Sequence, residues 1–98
     1  MTDDRRAERT RFQTSGAVRA SISGDGLVLL DVRGGVVLAS NSIGARIWQL
    51  LESRLDGGEI ASRLARDYDV SIERAQHDVD AFLTALEARG LVSAEPPC

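Results

Sequence analysis

His77 and Cys98 are the single histidine and the single cysteine of the chain, and so its nearest approach to a proton shuttle or a thiol nucleophile. Covalent or acid–base catalysis needs a nucleophile, a base and an electrostatic partner brought together. One histidine and a cysteine at the last position do not make that set. In a helical reading His77 projects away from Val79 and Phe82, which predicts a solvated imidazole. Asp78 and Asp80 point about 200° apart at about 3.6 residues per turn, so they form no general acid–base pair. Asp67, Asp69 and Glu73 read as solvated charges. Gly24-Asp25-Gly26 and Gly34-Gly35 lack the flanking residues of a phosphate loop or dinucleotide fingerprint and read as hairpin turns. No ligand spacing suits zinc or calcium, and a lone cysteine rules out an intrachain disulfide. Neither catalysis nor a cofactor is expected, so the chain's work falls to its backbone and its surface.

The composition bounds that work. Ninety-eight residues, 43% hydrophobic and 28% charged, predict one globular domain. No run approaches the roughly 18 apolar residues of a membrane span, and MTDDRRAERTRFQTSG has no signal-peptide core, so a cytoplasmic location is expected. Fifteen acidic residues against twelve basic ones, for a net charge of −3, disfavour a nucleic-acid partner.

The pattern along the chain predicts three strands and then three helices. Residues 1–16 carry Arg5, Arg6, Arg9 and Arg11 with Phe12 as the only large apolar group, and are expected to be a flexible arm. Val18, Ala20 and Ile22 then alternate with Arg19, Ser21 and Ser23, the period of a strand with one buried face. Leu27 to Val32 is a nearly continuous apolar run expected at the sheet centre, and Val36 to Ala39 is the returning strand. Asn41 or Ser42 can cap a first helix with Ile43, Ile47, Trp48, Leu50 and Leu51, which Asp56-Gly57-Gly58 ends. A second helix is expected from Glu59 to Tyr68, with Ile60, Leu64 and Tyr68 on its apolar face. Ser71 caps a third helix reaching Arg89, with Ile72, Ala75, Val79, Phe82, Leu83 and Leu86 inward, and Gly90 closes it ahead of Leu91 and Val92. The expected fold is α+β and winged-helix-like, a three-stranded antiparallel sheet followed by three α-helices, with a folded unit at 17–93 and a tail at 94–98.

In this arrangement the third strand has an open side. Val36, Val37, Leu38 and Ala39 include neither proline nor charge, so nothing in their types blocks pairing with an extended peptide; the residues alone leave equally open an edge that is merely short or covered by the N-terminal arm. Beside the core stripe of the third helix runs a flank of Arg74, Asp78, Ala81 and Ala85, whose alanines leave a trough next to that strand. The other flank, Gln76, Asp80 and Glu87, reads as solvated. Two alternatives remain open. The winged-helix order raises DNA binding or regulation, against which Glu73, Asp78, Asp80 and Glu87 on the third helix would repel phosphates. The same edge could also pair with its own copy in a homodimer.

Four segments in order resemble the coenzyme PQQ synthesis protein D (PqqD) family: Val28-Leu29-Leu30-Asp31 followed by Gly35; Asn41-x-x-Gly44-Ala45-Arg46-Ile47-Trp48-x-Leu50; Ile60-Ala61-x-x-Leu64-x-x-x-Tyr68-Asp69-Val70; and Asp78-Val79-x-x-Phe82-Leu83-x-x-Leu86-x-x-x-Gly90-Leu91-Val92. Ser40 departs from the leucine usual there. The resemblance covers residues 17–93 and implies a recognition element of ribosomally made, modified peptides. Such an element binds a precursor's leader as an added strand and presents it to a modifying enzyme, commonly a radical SAM protein, in PQQ, lasso-peptide or related pathways. Carried over by position, the leader would lie along Val36, Val37, Leu38 and Ala39 and against Arg74, Asp78, Ala81 and Ala85.

Overall fold

A computed structural model describes residues 10–24, 26–32 and 35–95. Leu27 and Leu29, which are fully buried, set its centre. They lie on β3 (Gly26–Asp31), the middle strand of an antiparallel sheet with β2 (Val18–Ser23) on one side and β4 (Gly35–Asn41) on the other. Two short strands, β1 (Phe12–Thr14) and β5 (Val92–Ala94), form a second sheet. Between β4 and β5 run α1 (Ser42–Glu52), α2 (Gly57–Tyr68) and α3 (Ile72–Ala88). The three-stranded sheet followed by three helices is the expected α+β architecture. Asp25 and Arg33-Gly34, expected in turns, and Cys98 lie outside the described residues.

Each helix starts where a short polar side chain meets free amides. Asn41 accepts from the Gly44 amide at 3.1 Å, and Ser71 accepts from the Arg74 amide at the same distance. Asp56 and Glu59 exchange side-chain bonds with each other's amides in a capping box. That box makes α2 begin at Gly57, two residues before the expected Glu59, so Asp56-Gly57-Gly58 opens α2 and does not close α1. Trp48, Ile47 and Leu51 of α1, Ile60 and Leu64 of α2, and Val79, Leu83 and Leu86 of α3 complete the core over β3. The Trp48 indole N–H is buried and meets no acceptor among the described residues, so packing accounts for its position.

Further expectations are corrected. The arm foreseen at 1–16 is folded where it is described: Phe12 is buried, β1 pairs with β5, and the Gly57 amide donates to the Thr10 carbonyl. At the far end the tail contributes Ala94 to β5, and the Glu95 amide donates to the Arg11 carbonyl at 2.8 Å. The described fold thus extends beyond 17–93 on both sides, while residues 1–9 and 96–98 lie outside the described residues. Tyr68 and Ile72, placed on apolar faces, are 40% and 37% exposed because they flank the α2–α3 corner, where no element covers them. Ala20 and Ile22 share the core-side face of the sheet with Leu29 and Leu27, but β2 reaches past the helices and both remain exposed.

Among the described residues no helix is long and apolar enough to cross a membrane. Phe12→Ala should cost about 3 kcal/mol in urea unfolding, the usual loss when a buried aromatic is truncated. An unchanged midpoint would return Phe12 to a loose arm.

Candidate functional site

β4 is an edge strand with an irregularity. Leu38 faces Leu29 and Val36 faces Leu30, so Val37 is the extra residue of a bulge. Past the bulge the pairing is regular to Asn41. The Ser40 carbonyl is aimed at β3, where it stands against Gly26 closely enough to exclude a Cβ there. Since consecutive strand residues direct their main-chain groups to opposite sides, Ala39 presents its N–H and C=O outward. The Val37 carbonyl also turns outward, and accepts a bond from the Arg89 guanidinium at 3.1 Å.

Beside this edge lies a groove of about 480 Å³, walled by the end of β4, the first turns of α1, and α3. α1 packs on β3 and β4, while α3 packs on α2 and β5. The groove occupies the space between α3 and the strand. Its α3 wall includes Arg74, Asp78, Ala81 and Ala85, the four positions expected on that helix. Ala81 and Ala85 are exposed to the groove, and Arg74 donates to Asp78 at 3.4 Å across one helical turn.

The strand residues sit differently. The groove borders Ser40 and Asn41, not Val36 to Ala39. Val36 is 64% exposed and shares the sheet's outer face with Leu30, whereas Val37 and Leu38 are half-buried. Ile43, Gly44, Ile47, His77 and Phe82 also line the groove, although none of them was expected as a binding residue. Phe82 belongs to the core stripe by spacing but is only half-buried, with one side on the groove. His77, expected opposite Phe82, lines the same wall, because it precedes Ala81 by one turn. The Asn-x-x-Gly spacing was the available signal for the floor: a Cβ on Gly44 would run into the Ser40 side chain and come within 3.2 Å of the Phe82 ring. On the other flank Gln76 and Glu87 are half-buried and engaged, not simply solvated.

The second sheet edge, β2, is more exposed. Its residues from Arg19 to Ser23 are exposed on both faces, so a strand added there would have no helix for its side chains to rest on. No cluster of His, Cys, Asp or Glu suited to a metal ion occurs among the described residues.

The family model of Coenzyme PQQ synthesis protein D (PqqD) matches residues 26–92, from the start of β3 to the start of β5. The chain belongs to the PqqD family. Two solved structures share the fold. One is TbiB1 in complex with the TbiA(beta) leader peptide, with a TM-score of 0.75, 29% identity, and coverage of 87% of this chain and 99% of that one. The other is lasso peptide synthetase B1 complexed with the leader peptide, with a TM-score of 0.75, 28% identity, and coverage of 85% and 98%. No curated protein matches the chain.

The groove floor yields a stability test for this PqqD-family domain. An alanine normally favours a helix over glycine by about 1 kcal/mol. Gly44→Ala should nevertheless lower the urea midpoint, because Ser40 and Phe82 must move by more than that gain repays. A raised midpoint would show room beneath the groove.

Proposed function

We propose that this protein is a non-catalytic adaptor that binds the leader region of a ribosomally synthesised precursor peptide and presents it to a modifying enzyme. The leader adds as a strand beside β4 and lays alternate side chains into the trough against α3. The observation that carries this reading is the outward-facing main chain of Ala39 beside an open groove. Membership of the PqqD family and the likeness to two leader-peptide complexes support it. Nothing in the fold or its relatives favours the DNA-binding alternative.

An edge strand with a trough is suited to a presenting role. Main-chain bonds hold any extended peptide, and pockets for alternate side chains decide which one stays. In this reading Ala81 and Ala85 leave space for the peptide's side chains, and Arg74 and Asp78 meet its charges. Val36, Val37 and Leu38 supply the strand that keeps Ala39 in place. The modifying enzyme, of the radical SAM or another class, acts on the core peptide while this domain retains the leader, in a cytoplasmic pathway making PQQ, a lasso peptide or another product.

The test is fluorescence anisotropy with a labelled synthetic leader from the precursor encoded beside this gene. Saturable binding at roughly tens of micromolar or tighter is expected. Ala39→Pro removes an outward amide without touching the ladder to β3, and should weaken binding by about tenfold while leaving the fold intact. Ala81→Glu should do the same by filling the trough with a charge. Full affinity in both folded variants would place the peptide on another surface.

A further inference from the structure

Arg89 links the C-terminal end of α3 to the exposed side of β4. It is the C-cap of α3, and its backbone is locked by the two bonds of a Schellman closure. The Gly90 amide donates to the Glu87 carbonyl and the Leu91 amide to the Leu86 carbonyl, each at 3.0 Å, with Gly90 at φ +72. From that fixed base, one helical turn beyond Ala85 of the groove wall, the guanidinium donates to the Val37 carbonyl at 3.1 Å. Among the described residues no carboxylate pairs with it, whereas Arg74 on the groove wall holds Asp78. A planar cation is thus bound to a neutral acceptor that an added strand would need.

We propose that Arg89 is both the latch of this edge and the residue that selects an acidic peptide. In the empty domain it holds the Val37 carbonyl. When a peptide adds beside β4, a peptide amide takes that carbonyl, and the released guanidinium pairs with an Asp or Glu of the peptide. The inference rests on the strand-addition reading above. For an acidic peptide, Val37 exchanges one donor for another and Arg89 gains a carboxylate, with which its bonds are shorter and stronger. An acid-free peptide must displace the latch and leaves it with no replacement partner. The same side chain therefore attracts one class of ligand and opposes the other. Arg74 and Arg89 are fifteen positions apart, roughly 22 Å along α3, the reach of about seven extended residues. The selected segment is that long, with its acid near the Arg89 end.

Anisotropy with the labelled leader of the neighbouring precursor tests this, using wild type, Arg89→Gln and Arg89→Lys, and leaders whose acids are changed singly to amides. Arg89→Gln should bind the intact leader about tenfold more weakly, and Arg89→Lys should recover part of the loss. One acid-to-amide leader should lose a similar factor against wild type, yet bind Arg89→Gln at least as tightly as it binds wild type. That reversal is beyond a residue that merely props the edge. Weakening by one common factor for every leader would overturn the proposal. Equal affinity of all three proteins for every leader would overturn it too, while leaving strand addition in place. If no leader binds wild type saturably, strand addition itself fails and the latch fails with it.

Discussion

Backbone amides and carbonyls must be paired or wetted, and that rule governs this small domain from its centre to its working edge. β3 satisfies both of its sides, with β2 on one flank and β4 on the other. β4 satisfies only one. Its other side carries the outward groups of Ala39 and the Val37 carbonyl, the latter held by the Arg89 side chain in place of a neighbouring strand. An edge of this kind either recruits a partner or has to be blunted by charge, proline or cover. Here the only described cover is one exposed side chain, which can swing away without disturbing the fold.

What makes the edge usable is the rigidity around it. β4 is clamped to β3 by regular pairing through Asn41, which then caps α1. α1 buries Ile47, Trp48 and Leu51 against the sheet, and α3 is anchored through Val79, Leu83 and Leu86. α3 is therefore held at a distance from β4 chiefly by the core, with the Arg89 bond to the Val37 carbonyl as a link between them. The gap between them persists as a preformed groove, so little ordering is needed when an extended segment enters. The β1–β5 pair completes the clamp, tying Phe12 and Val92 into the core beneath the C-terminal end of α3.

Much of this was legible in the residues. The alternation from Val18 to Ile22, the apolar run from Leu27, the caps Asn41 and Ser71, and the stop at Gly90 all act locally, and all predicted their elements. The α3 flank of Arg74, Asp78, Ala81 and Ala85 followed from helical period alone and does line the groove. The position of the groove along β4 did not follow, since the bulge at Val37 and the depth left by Gly44 are properties of tertiary packing. β1 and β5 were hidden for a different reason. Each is three residues long, and they pair across most of the chain, so neither carries a periodic signal of its own. Phe12 among polar neighbours was the sole trace. Ile22, Tyr68 and Ile72 erred the other way: their spacing is that of buried residues, but no element extends far enough to cover them.

The most direct test of strand addition is amide hydrogen exchange followed by NMR, with and without the precursor leader. If an extended peptide pairs beside β4, the Ala39 amide goes from rapid exchange to strong protection on binding, while the amides along the open edge of β2 keep their rates. Saturating leader that leaves Ala39 exchanging freely, or that protects β2 instead, would contradict the account.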